Sequence, residues 1–235
     1  MSGVLAVLPP QLPLPPPSRT VMPMKFRYAW NVCTPGYSFV WYGIEQWQFM
    51  IDWMALQGVN LPLAFNGQEA VLAKVFATFG LTTDEIWAYF SGPAFLPWNR
   101  MGNMQAWGAL NAPGPISGLD HGWLDGQYDL QLRILAAMRV YGMTPVLPGF
   151  AGHVPAGLRR AFPSARFSNT ADWCNFNSTY GSVTLLEPSD PAFITVGSAI
   201  NKAILKAFGD PSGEEIPMLN ADTFNEMQPS NGTNA

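Results

Sequence analysis

The segment Leu219-Asn220-Ala221-Asp222-Thr223-Phe224-Asn225-Glu226 joins an apolar run to an amide and a carboxyl. Read as a buried β-strand, it delivers Asn225 and Glu226 to the rim of a sheet or barrel. Cleavage of a glycosidic bond by two carboxyl groups needs one to protonate the leaving oxygen and another to attack or to activate water. Glu226 suits the first task. A carboxyl that must donate a proton benefits from a raised pKa, obtained by partial burial and by a second carboxylate nearby. The sequence ends soon after, at Ala235, so the expectation is a chain that carries the proton donor alone.

Other chemistries find less support. Two His and two Cys lie far apart in the sequence, with none of the ligand spacing of a metal site. Gly149-Phe150-Ala151-Gly152 lacks the Gly-x-Gly-x-x-Gly spacing of a dinucleotide loop, and no cofactor is expected. Charged residues make up 12% of the chain, against ~25% in an average domain, while Trp (nine) and Pro (22) are abundant. Recognition then falls to amides, hydroxyls, aromatic rings and backbone groups, a balance that suits a neutral ligand such as a sugar. A net charge of -4 comes with no basic run beyond Arg159-Arg160, so the electrostatic footprint of a nucleic-acid partner is lacking. Cys33 and Cys174 are compatible with a disulfide or with two free thiols.

Glu226 must be held by a scaffold, and the 235 residues, 48% hydrophobic, are enough to bury a core. Residues 1–24 form a Pro-rich stretch with no Lys or Arg before Arg19, read as a flexible leader and not as a secretory signal. No run reaches the ~20 apolar residues of a membrane span. From Lys25 onward strands and helices alternate, which predicts parallel pairing through crossover connections. The strands are expected at Phe26–Val32, Asn60–Phe65, Thr144–Phe150 and Met218–Phe224, each unalternating and so covered on both faces. Helices are expected at Ile44–Leu56, Glu69–Phe79, Gln127–Tyr141 and Phe193–Phe208, with another starting at Thr83-Asp84-Glu85. Gly58, Gly80, Gly142 and Gly209 each follow a helix, where a left-handed terminal residue is expected.

Two connections, Ser91–Gly126 and Ser164–Asp190, are too long for simple turns and should be functional or hold small extra elements. The first, rich in Trp and Pro, is either a surface loop pinned by buried rings or a substrate lining. In the second, Trp173 stands among Asn175 and Asn177, as a core ring or as a stacking surface beside sugar-binding amides. Four such strands make half of a (β/α)8 barrel or most of a doubly wound sheet. Barrels place active residues at the C-terminal strand ends. Asn31, Cys33, Asn66, Gln68, Glu69, His153, Asn225 and Glu226 all follow strands in this way, so the barrel half, strands one to four over residues 25–235, is the better reading. Glu69 reads as a first-turn helix acid, Glu45 and Asp52 as solvent-facing or capping groups, and Asp222 as hydrogen-bonded within the strand.

Eight stretches carry a resemblance: Asn31–Trp41, Ile51–Leu56, Gly67–Ala70, Gly92–Leu96, Arg100–Asn103, Gly142–Pro148, Phe150–Pro155 and Ala221–Pro229. Dense and collinear, they resemble the α-N-acetylglucosaminidase family, glycoside hydrolase family 89. The resemblance implies a retaining, exo-acting glycosidase that removes terminal α-linked N-acetylglucosamine, in animals from heparan sulfate in the lysosome. It also implies that this sequence spans the first half of the catalytic barrel, with the nucleophile beyond Ala235.

By the same resemblance Glu226 is the acid/base and Asn225 its sugar-binding neighbour. Asn31, Cys33 and Tyr37 line the sugar pocket, Trp173 is an aromatic wall, and His153 is a rim residue or a support behind the rim. Phe65-Asn66-Gly67 stands where the family more often has Trp-Ser-Gly, and Leu72 where some members place Trp. The carbohydrate is the expected partner, together with the other half of the barrel. Asn177-Ser178-Thr179 and Asn231-Gly232-Thr233 are glycosylation acceptors in a secreted chain. Two functions follow from these residues: the front half of an α-N-acetylglucosaminidase, or a non-catalytic, sugar-binding chain. The 235 residues alone are expected to be inactive, because an open half-barrel exposes strand edges and lacks a carboxylate.

Overall fold

The computed structural model describes residues 21–34, 38–108 and 121–227. Tyr37, the leader up to residue 20 and the sequon at Asn231 lie outside them. Within the described residues the chain is α/β, with parallel strands joined through helices. Strand β1 (Tyr28–Ala29) pairs in parallel with β2 (Leu61–Pro62), and β3 (Val146–Pro148) pairs in parallel with β6 (Met218–Asn220). A parallel bridge from Leu63 to Val146 links the two pairs, reinforced by Ala64 N–H donating to the Val146 carbonyl at 2.9 Å. The spatial order is therefore β1-β2-β3-β6, the order of the four strands expected from the sequence.

Those strands are shorter than expected. Pro62 and Pro148 supply no N–H to a ladder, which limits pairing at both ends. The last strand stops at Asn220, and the expected continuation to Phe224 is a turn: Asp222 Oδ1 accepts from Phe224 N–H at 3.2 Å, and Met227 N–H donates to the Phe224 carbonyl at 3.1 Å. Asp222 is thus half-buried in a turn and not in a strand. Burial on both faces holds for β3, while Tyr28 on β1 and Leu219 on β6 are exposed. The difference follows from position, since β1 and β6 are the outer strands of the array.

Helix α1 (Ile44–Leu56) has the expected bounds and places Trp47, Ile51 and Met54 on one buried stripe. Each such side chain contributes about 1.5–3 kcal/mol by leaving water. Helix α2 (Gln68–Thr78) begins at Gly67, whose φ of 68° and bare Cα are both required: a Cβ would lie 2.7 Å from the Gln127 carbonyl oxygen. Helix α3 (Thr83–Trp87) is capped by Thr82, with Glu85 returning a bond to the Thr82 N–H. Gly58, Gly80 and Gly142 are left-handed as expected, but Gly209 is not, with φ -61°. Its N–H continues the helix pattern to Leu205 at 2.9 Å instead.

Helix α4 (Leu96–Arg100) lies inside the first long connection, and α5 (His121–Val140) starts six residues earlier than periodicity alone indicates. Gly122 and Gly126 argue against a helix by propensity; burial of Leu124 at 3% exposure outweighs them. The second long connection holds an antiparallel pair, β4 (Phe167–Asn169) with β5 (Thr184–Leu186), after the short α6 (Leu158–Ala161) and flanking the short α7 (Ser178–Gly181). Helix α8 (Pro191–Phe208) starts two residues before its expected bound because Asp190 caps it and Pro191 occupies its first position. Asp52 is half-buried and accepts bonds from Gln48 at 2.7 Å and the Tyr141 hydroxyl at 2.9 Å, so from a partly exposed position it ties α1 to the residue after α5.

Candidate active site

The loops that leave the C-terminal ends of β1, β3 and β6 gather most of the expected site residues. After β1, exposed Asn31 folds its side chain back, its Oδ1 accepting from Cys33 N–H at 2.7 Å. Half-buried Cys33 is close enough to Glu226 for that carboxylate to raise the thiol pKa, an effect second to burial. Glu226 itself occupies a left-handed conformation, φ 51°, in the turn from Phe224 to Met227. Left-handed backbone is costly for a residue with a Cβ and persists where surroundings impose it, a recurrent property of functional turns.

The partial burial expected of Glu226 is not observed: the residue is exposed. Nor does it line the cavity of about 50 Å³ between α2, the loop after β3 and α8. Of the expected residues only His153 borders that cavity. The turn carrying Glu226 sits on the open rim, and the cavity lies within the packed layers beside it.

Two side chains hold this turn. His153, 8% exposed, places Nε2 at 2.9 Å from the Thr223 carbonyl. A carbonyl only accepts, so Nε2 carries the proton. Burial pushes the imidazole pKa below its ordinary value, while the bond to Thr223 and the charge of Asp222 oppose that shift. The result is a neutral donor and not a cation. Asn103, fully buried, donates through Nδ2 to the Asn225 carbonyl at 2.7 Å, and its Oδ1 accepts from Asn225 Nδ2 at 3.4 Å. Thr223 adds a hydroxyl bond to the Ala151 carbonyl at 2.9 Å. Next to Asn103, Gly102 has φ 73°, and a Cβ there would fall 2.1 Å from His153 Nε2. Only glycine lets the imidazole approach.

Behind Asn103 stands an ion pair. Arg100 and Glu69 meet in two bonds, 2.7 and 3.0 Å, with side chains 5% and 1% exposed. Such a fork-to-fork contact gives direction as well as energy. Glu69 is a first-turn acid of α2, as expected, and its charge adds to burial in raising the Tyr89 pKa. The pair anchors the end of α4, from which the chain runs directly into Met101-Gly102-Asn103.

Trp173 stands farther along, half-buried, stacked on Phe176 with ring centres 5.9 Å apart and tilted against Trp98 at 6.1 Å. Its indole nitrogen is buried and finds no acceptor within the described residues. Trp98 in turn accepts at its carbonyl from Asn103 N–H at 2.8 Å. Trp173 is thus tied through Trp98 and Asn103 to the turn of Glu226. Asn103 and the Glu69–Arg100 pair received no role from the sequence, because contacts spanning 122 and 31 residues have no periodicity to reveal them. Among the described residues no three His, Cys, Asp or Glu side chains form a metal-sized group, and no helix is long and apolar enough to cross a membrane.

An α/β scaffold that carries an amide and a carboxyl on a strained turn at its strand ends belongs with the glycoside hydrolases built on barrels, and the comparisons agree. The sequence profile of the α-N-acetylglucosaminidase (NAGLU) TIM-barrel domain matches residues 27–235. Human α-N-acetylglucosaminidase is 46% identical over 229 residues, covering 97% of this chain and 29% of the human protein. A family 89 glycoside hydrolase from Clostridium perfringens, solved with 2-acetamido-1,2-dideoxynojirmycin, superposes with a TM-score of 0.74 at 28% identity, over 90% of this chain and 22% of that one. A variant of the bacterial enzyme with two glutamates changed to glutamine, solved with its substrate GlcNAc-α-1,4-galactose, gives the same values. The chain belongs to the α-N-acetylglucosaminidase family. It spans under a third of the length of these relatives.

Proposed function

We propose that this chain forms the first half of the (β/α)8 barrel of an α-N-acetylglucosaminidase, over residues 25–235, preceded by a Pro-rich leader at residues 1–24. The reaction is hydrolysis of a terminal α-linked N-acetylglucosamine, with Glu226 as general acid and then general base. The observation that carries this reading is the placement of Glu226, beyond the end of β6, on a turn whose backbone is strained and held at Thr223 and at Asn225. A proton donor beside a ring of polar groups is what glycosidic cleavage requires.

The other residues take roles consistent with their positions. Asn31 and Cys33 border the space for the terminal sugar on the β1 side, and Tyr37, outside the described residues, is assigned to the same pocket by the family motif alone. Asn225 offers its side chain to a sugar hydroxyl, and Trp173 supplies an aromatic face. His153, bonded to the backbone of the acid-bearing turn, acts behind these groups. A second carboxylate, from another part of the longer protein to which the relatives correspond, attacks the anomeric carbon. The rest of the barrel covers the exposed carboxyl of Glu226, and the 235 residues alone are inactive.

A retaining mechanism needs the two carboxyl groups about 5–5.5 Å apart. Proton NMR of the full-length protein acting on an aryl α-N-acetylglucosaminide is expected to show the α-anomer of the sugar first. Initial release of the β-anomer would exclude the nucleophilic route.

A further inference from the structure

We infer that Asn103 is a positioning residue for the proton-transfer step, holding the turn of Glu226 in its left-handed conformation; this rests on the proposed role of Glu226. The side chain is fully buried, and its Nδ2 donates to the carbonyl of Asn225, the residue immediately before Glu226, at 2.7 Å. The same carboxamide presents its oxygen to Asn225 Nδ2 at 3.4 Å. One side chain thus engages both the backbone and the side chain of a residue 122 positions away. Its own backbone is fixed by the bond to the Trp98 carbonyl and by Arg100, locked in its buried pair with Glu69.

The neighbouring Gly102 makes the arrangement two-sided. With no Cβ, it admits the His153 ring, which holds the Thr223 carbonyl three residues before Glu226. The turn is therefore gripped at Thr223 and at Asn225, and both grips depend on the dipeptide Gly102-Asn103. A φ of 51° at Glu226 is unfavourable for a residue with a side chain, and release of the Asn225 carbonyl lets the turn relax and carries the carboxyl away from the leaving oxygen.

Asn103→Asp tests this with little change in shape. The variant loses the N–H donor and sets an oxygen against the Asn225 carbonyl, so the turn is repelled where it was held. Displacing a catalytic group by about 1 Å costs about 100-fold in rate. In the full-length protein the variant is expected to lower kcat about 100-fold on an alkyl α-N-acetylglucosaminide, whose leaving group needs a proton, with KM within about threefold of the parent. In kcat/KM for the 2,4-dinitrophenyl glycoside, which reports the first step alone and whose leaving group departs without protonation, the loss should fall below about tenfold. Glu226→Gln, run alongside, should show the same dependence on leaving group.

Equal losses on both substrates, or a change confined to KM, would overturn the role of Asn103. If Glu226→Gln shows no such dependence, the acid/base assignment itself fails, and the positioning role with it. Should the buried Asp prevent folding, Asn103→Ala removes the donor without adding a charge and carries the same comparison. Failure of both variants to fold would assign Asn103 to stability alone and overturn the inference.

Discussion

Replacing Arg100 by Met should be among the most damaging single changes in this chain, and the cost can be worked from the contact it breaks. Arg100 and Glu69 share two hydrogen bonds with side chains 5% and 1% exposed. Removing one member of such a pair leaves a buried charge without a counterion, at a cost of about 3–5 kcal/mol. That is a large part of the ~5–15 kcal/mol by which a domain is stable. The attraction alone is a poor guide to the effect, because both charges were desolvated to form it. Replacing both with apolar side chains of similar volume removes the charges together, and Glu69→Leu with Arg100→Met should cost less than either single change. Urea unfolding of the full-length parent, the two single variants and the double variant, monitored by circular dichroism at constant m-value, gives the comparison. A single variant within about 1 kcal/mol of the parent would mean that water reaches the pair and that the end of α4 is not anchored as described. A double variant worse than either single would mean that the ion pair contributes net stability. Either result refutes the reasoning.

Two further effects follow from the residues around the acid-bearing turn. Gly102→Ala puts a methyl 2.1 Å from His153 Nε2 at a φ of 73°; the left-handed backbone alone costs about 1–2 kcal/mol and the displaced imidazole about 1 kcal/mol more, so a stability loss of about 2–3 kcal/mol is expected in denaturant unfolding. The pKa of His153 in the folded chain lies below its ordinary 6.5, burial being the main cause. The unfolded chain then binds the extra proton first as pH falls, so the stability associated with neutral His153 is complete above about 6.5 and declines below it, by at most about 1.4 kcal/mol per pH unit. Unfolding curves from pH 7.5 to 5 should show this decline, and His153→Gln should flatten it.

The sequence made the alternation of strands and helices readable because periodicity and glycine punctuation act locally. Ile44–Leu56 has its expected bounds, since Trp47, Ile51 and Met54 repeat at helical spacing. The start of α5 was obscured by Gly122 and Gly126, whose poor propensity is overridden by tertiary burial of Leu124. The antiparallel β4–β5 pair is a small extra element of the kind expected in the second long connection, but its bounds are not legible, because three-residue strands are too short to show alternation. The last strand was extended into Asp222, Thr223 and Phe224, where the Asp222 side chain turns the backbone instead. Of the candidate site, Glu226, Asn225, Cys33 and His153 are expected from their places after strands and from a family motif. Asn103, Gly102 and the Arg100–Glu69 pair were missed, since each acts through a partner distant in sequence and none carries the reaction itself.

Everything functional here depends on Glu226 as the proton donor, and kcat/KM of Glu226→Gln in the full-length protein, measured on an alkyl α-N-acetylglucosaminide, tests it most directly. Loss of general acid–base catalysis predicts a fall of about 100- to 10,000-fold with the folded state unchanged by circular dichroism. A folded variant that retains activity within tenfold of the parent would contradict the assignment.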